Sequence, residues 1–80
     1  MKTSDIIELI TNALDLESNS LTIDSSSEDI EEWDSLGHIT ILSALDDMTS
    51  GKSADLADLT QASSVKEIID ILKENSLIDE

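Results

Sequence analysis

The chain has 80 residues, with 19 Asp or Glu against 4 Lys or Arg, a formal net charge of −15, a single His and no Cys. That length holds one domain, residues 1–80, and the missing Cys excludes disulfide and thiolate-zinc staples, so stability must come from packing. The charge makes nucleic acid and anionic membrane surfaces poor partners and basic protein patches good ones.

High net charge alone favours disorder, but 39% hydrophobic content set in a clear period opposes it. Near the start, the apolar pair Ile6-Ile7 is cut by Glu8, so no signal peptide or membrane span is visible. A cytoplasmic location and a monomeric state are expected.

Ile6, Leu9, Ile10, Ala13 and Leu14 fall on one face of a first helix. Thr3, Ser4 or Asp5 is expected to cap it, and Asp5 with Glu8 has the spacing of a capping box. A polar stretch follows from about Glu17 to Asp34. Leu21, Ile23, Ile30 and Trp33 are expected to pin it to the core, and Ser25 to Glu28 to cap one helical turn running through Glu32.

A second helix is expected from Asp34-Ser35 to about Thr49, with a broad apolar stripe from Leu36 to Met48 and Gly51 as its C′ residue. Leu56 and Leu59 mark a short third helix near Asp55 to Thr60. Ser64-Val65-Lys66-Glu67 is a capping box opening a last helix whose inner face is Val65, Ile68, Ile69 and Leu72. Lys73 sits where the helix dipole favours a cation, and the tail from Asn75 is expected to fray. With no strand and no repeat, the fold class is all-α: a small helical bundle with three main helices, one short third helix and a long loop between helices 1 and 2.

The tripeptide Asp34-Ser35-Leu36 places a serine at a helix N-terminus after a long loop. Asp and Ser are ordinary N-cap residues. The same position also presents a hydroxyl in a field that favours a phosphate ester. His38, one turn on, reads as a solvated surface side chain rather than half of a Ser-His catalytic pair, because no oriented acid or glycine elbow accompanies it. Gly37 reads equally as room for a bound group and as a tolerated surface glycine. Trp33, the only aromatic residue, is expected to pack just before helix 2. An EF-hand counted from Asp24 fails, with Asp29 where glycine is needed and Ser35 where the bidentate Glu belongs. No metal site is expected.

The stretch Glu31-Glu32-Trp33-Asp34-Ser35-Leu36-Gly37-His38-Ile39 resembles the attachment region of acyl and peptidyl carrier proteins, whose signature is Asp-Ser-Leu at the start of the second helix. Leu42, Ala44-Leu45-Asp46-Asp47 and Ser64-Val65-Lys66-Glu67-Ile68 extend the likeness over nearly the whole chain. The resemblance implies 4′-phosphopantetheine attached at Ser35 by a phosphopantetheinyl transferase using coenzyme A and magnesium. It implies transferase recognition through Asp34, with Leu36 completing the motif. It further implies docking of partner enzymes on helix 2, where Ile39, Asp46, Asp47 and Met48 are the expected contacts. Gly37, His38 and Thr40 stand where fatty-acid-synthesis members usually carry acid, so the resemblance points away from housekeeping fatty acid synthesis and toward a specialised stand-alone carrier in polyketide, modified-lipid or amino-acid-product synthesis.

The expected role is carriage of an acyl thioester on the arm's thiol, which a chain without Cys lacks, and not catalysis. An aminoacyl or peptidyl carrier is the alternative within the class. An unmodified acidic helical adaptor is the alternative outside it. One prediction follows from charge alone. Raising salt screens self-repulsion, so the melting temperature should climb with added sodium chloride; a salt-independent melting temperature shows that self-repulsion is not a significant term.

Overall fold

Isoleucines and leucines spaced three or four apart can be buried together only on helices, and the computed structural model, which describes residues 2–78, buries them so. The elements are α1 (Thr3–Ala13), α2 (Ser35–Met48), a first 3₁₀ turn (Lys52–Asp55), a second (Ala57–Gln61) and α3 (Val65–Glu74). The fold is a small all-α bundle. Among the described residues there is no strand, only an isolated antiparallel bridge between Ser26 and Ser64.

The core draws on all three α-helices and the second 3₁₀ turn. Ile6 and Ile10 of α1 are fully buried, as are Ile41 and Leu45 of α2 and Val65, Ile68 and Leu72 of α3. Each such side chain contributes roughly 1.5–3 kcal/mol. The sharpest division is in α3, where Lys66, Glu67, Asp70 and Lys73 face solvent. Lys66 donates to Asp70 at 2.9 Å, one turn on. That hydrogen bond, then the coulombic attraction of the carboxylate, raises the ammonium pKa. The contribution is therefore present below the ordinary lysine value and lost as pH rises past it, and full exposure keeps it small.

The start of α1 differs from expectation. The helix begins at Thr3 with Lys2 as N-cap, and Asp5 is its third residue, accepting from the Lys2 backbone N–H at 2.9 Å. Asp5 thus closes the box from inside rather than opening it. The short third helix is replaced by the two 3₁₀ turns. Bonds from Leu56 N–H to the Ser53 carbonyl and from Ala62 N–H to the Leu59 carbonyl wind the stretch in i→i+3 fashion, tighter than an α-helix, and only Ser53 and Leu59 of these turns are buried.

All three helices end in the same way. After α1, Asp15 has φ +56°, Asp15 N–H donates to Asn12 and Leu16 N–H to Thr11. After α2, Ser50 has φ +57° and Gly51 N–H reaches back to the Asp46 carbonyl at 2.8 Å. After α3, Ser76 has φ +59° and Leu77 N–H reaches Leu72 at 2.9 Å. These are Schellman closures. Gly51 is therefore C″, and the left-handed C′ residue is Ser50. The closure after α3 also corrects the expected fraying: Leu77 is half-buried and Ile78 buried. The expectation for Asp79 and Glu80 lies outside the described residues.

The long loop is ordered by backbone as well as side chains. Ser27 N–H donates to Ser63 O at 2.7 Å and Val65 N–H to Ser25 O at 3.0 Å, pinning it to the start of α3. Leu21 and Trp33 are buried and Ile30 half-buried, whereas Ile23 is 41% exposed and does not serve as a pin. The expected turn forms from Ser26, with Ile30 N–H donating to Ser26 O.

Left-handed backbone disfavours a Cβ. Ser76→Gly should therefore raise unfolding free energy by about 0.5–1 kcal/mol, the gain being trimmed by the flexibility of Gly in the unfolded chain. A loss in urea denaturation would show that Ser76 stabilises its turn in another way.

Candidate functional site

Asp34 is extended (φ −99°, ψ −167°) and is the N-cap of α2. Its Oδ1 accepts from Gly37 N–H at 2.9 Å, and its carbonyl accepts from His38 N–H at 2.8 Å. Ser35 is thereby fixed as the first helical residue, where its backbone N–H and that of Leu36 have no helical carbonyl to meet. Both Asp34 and Ser35 are exposed, and α2 has no acid in its first turn. Leu36, expected on the apolar stripe, is instead 75% exposed.

Ser35 lies at the edge of an open groove of about 480 Å³, lined on one side by Asp34, His38, Ile39 and Leu42 and on the other by Ser27, Thr60, Ala62 and Ser63, with Trp33. Ile39, Leu42 and Thr60 also line a second hollow of about 300 Å³, which continues between α2 and the 3₁₀ turns to Asp46 and Leu56. Together they make a channel-like surface leading away from Ser35 along α2.

The four expected docking residues do not form one patch. Ile39, 60% exposed, stands at the groove. Asp47 is exposed. Asp46 turns toward the 3₁₀ side, where its Oδ1 is buried with no hydrogen-bond partner. Met48 lies on the opposite flank, bordering α1 with Leu9, Ala13 and Ala44. Asp46 and Asp47 sit in the last turn of α2, where the helix dipole is negative and no basic residue offsets it. Both oppose the local electrostatics.

Two residues were misjudged or left open by sequence. A Cβ on Gly37 would fall 2.2 Å from the Glu32 carbonyl oxygen and 2.8 Å from the Leu14 side chain. Gly37 is thus neither a tolerated surface glycine nor room for a bound group; it lets the incoming chain cross the first turn of α2. Its cost in a helix was the signal that could have revealed this. His38 is half-buried, not solvated. Its Nδ1 accepts from Trp33 Nε1–H at 3.0 Å, and its Nε2 meets the Leu59 carbonyl at 2.8 Å. The two rings are within 16° of parallel with centroids 6.2 Å apart, an edge-to-edge arrangement held by that hydrogen bond. Trp33 is 4% exposed, as expected of a packing residue. No pattern within the chain announces the Leu59 partner, 21 residues away.

Among the described residues no group of three or more His, Cys, Asp or Glu stands close enough to hold a metal ion, and no helix is long and apolar enough to cross a membrane.

The close approach at Gly37 gives an expectation opposite in sign to that for a surface glycine. Ala improves helix propensity by about 1 kcal/mol, yet overpacking against a backbone carbonyl costs about 1–3 kcal/mol or more. Gly37→Ala should lose about 1–2 kcal/mol in chemical denaturation, and a gain would mean that the Glu32 segment moves aside freely.

No family model, curated protein or solved structure matches the chain.

Proposed function

We propose that the chain is an acyl carrier protein in which Ser35 bears a 4′-phosphopantetheine arm. The observation that carries this reading is the setting of Ser35: an exposed hydroxyl on the first residue of α2, between the Asp34 cap and an outward-facing Leu36, at the edge of a groove. A phosphodiester at that oxygen meets the unpaired N–H groups of Ser35 and Leu36 and the positive end of the helix dipole. The nearby Asp34 carboxylate opposes it. A magnesium ion in the transferase complex is the physical remedy, and it gives the exposed Asp34 a part in recognition.

In this role the protein carries and does not catalyse. The arm's thiol holds the acyl group as a thioester, and the bundle presents it to loading and transferring enzymes. Those enzymes are met through basic patches, steered by the net charge of −15. Such steering raises encounter rate more than affinity, which suits a partner that must leave. Aminoacyl cargo is the alternative within the class, decided by which adenylating enzyme loads the arm.

A second reading rests on the exposed apolar side chains of α2. Leu36, Ile39 and Met48 are 75%, 60% and 49% exposed, and exposed apolar surface marks interaction sites. An unmodified acidic adaptor using this helix tolerates Ser35→Ala; a carrier does not.

Incubation with coenzyme A, magnesium and a broad-specificity phosphopantetheinyl transferase, followed by intact-mass measurement, separates the two. The carrier reading expects a gain of one phosphopantetheine on the wild-type chain and none on Ser35→Ala. A folded wild-type chain left unmodified, both here and with its host's own transferase while a control carrier is modified, places the adaptor reading first.

A further inference from the structure

The groove beside Ser35 is held in shape by a hydrogen-bonded chain that only one charge state of His38 can make. The indole Nε1 of Trp33 can only donate, so His38 Nδ1 must carry a lone pair. The Leu59 carbonyl can only accept, so Nε2 must carry the proton. Both ring nitrogens are thus committed in the neutral imidazole. A second proton has no site but Nδ1, where it would face the indole N–H. Trp33 is 4% exposed, so its N–H cannot simply turn to water.

The three residues come from three separate walls. Trp33 ends the segment that crosses the first turn of α2, His38 belongs to that turn, and Leu59 belongs to the second 3₁₀ turn, whose neighbour Thr60 lines the groove. We propose that His38 is a protonation-sensitive latch: neutral, it ties the second 3₁₀ turn to α2 and Trp33; charged, it releases that wall and widens the groove beside Ser35.

The groups around the ring are few. From α2 the titratable neighbour in the groove is Asp34, whose Oδ1 is engaged by Gly37 N–H. The 22–33 segment presents Ser27 and Trp33, the second 3₁₀ turn presents Leu59 and Thr60, and the lead into α3 presents Ala62 and Ser63, none of which titrates in this range. Glu32 and Asp58, adjacent in sequence to the latch residues, are exposed. Asp34 is therefore the acceptor on the groove side toward which a charged ring turns. The latch belongs to the chain as folded and stands whether or not Ser35 is modified.

Trp33 is the only tryptophan, so its emission reports the latch directly. The test compares the full wild-type chain with His38→Gln and His38→Ala at fixed ionic strength, between about pH 5 and 8. Emission, amide hydrogen exchange in the second 3₁₀ turn and the His38 ring signals by NMR are followed together. Gln offers an oxygen to Trp33 and an N–H to Leu59 but does not titrate. The expected result is a wild-type emission change with the same midpoint as the His38 ring signals, faster exchange at Leu59 to Gln61 on the acid side, and a flat response in His38→Gln. His38→Ala should show the acid-side emission and exchange throughout; if it does not fold, the wild-type and His38→Gln pair decides alone. Equal pH responses in wild type and His38→Gln overturn the proposal, as does wild-type emission that stays constant while the His38 ring titrates.

Discussion

The arrangement around Ser35 depends on one close approach, the passage of the Glu32 carbonyl over Gly37 at a distance that no other residue permits. With that crossing in place, the chain enters α2 steeply. Trp33 is turned into the core, and Asp34 is extended so that its carboxylate caps the helix it precedes. Asp34 and Ser35 then emerge from the crossing, both exposed at the head of α2. A Cβ at position 37 would push the incoming segment away and disturb Trp33 and the cap together.

The molecule balances a dense apolar centre against a heavily anionic skin. The fully buried Ile, Leu and Val side chains of three short helices supply the cohesion, since no disulfide is available. Against it stand the mutual repulsion of the carboxylates, an unpartnered Asp46 oxygen and two acids at the unfavourable end of α2. Sequences under selection for stability alone have cheaper choices at these positions.

Legibility followed the range of the interactions. The faces of α1 and α3, the Asp34 cap and the Ser64 cap were readable because each depends on residues within one or two turns. Helix ends were less so: the search for glycine found Gly51, whereas Asp15, Ser50 and Ser76 occupy the left-handed positions. There the reverse hydrogen bonds, and not residue type, decide the stop. The 3₁₀ geometry between Gly51 and Ala62 rests on i→i+3 backbone hydrogen bonds, which periodicity does not encode. At the site, the exposed Asp-Ser-Leu start was visible, but the roles of Gly37 and His38 were not. Their partners, the Glu32 carbonyl and the Leu59 carbonyl, are backbone atoms, and a backbone atom leaves no trace in the identity of the residue that bears it.

The Ser26–Ser64 bridge has a bearing on the order of events in synthesis. It fastens the segment leading to Ser35 onto the entrance of the last helix, with Ser27 N–H donating to the Ser63 carbonyl and Val65 N–H to the Ser25 carbonyl on either side of it. On the ribosome, the loop therefore lacks these two hydrogen bonds until the last helix has been made. A nascent chain ending near Met48 presents the same serine on a segment held only by its contacts with the first two helices. Any enzyme that reads the serine by its folded surroundings is in effect also reading that the last helix is in place.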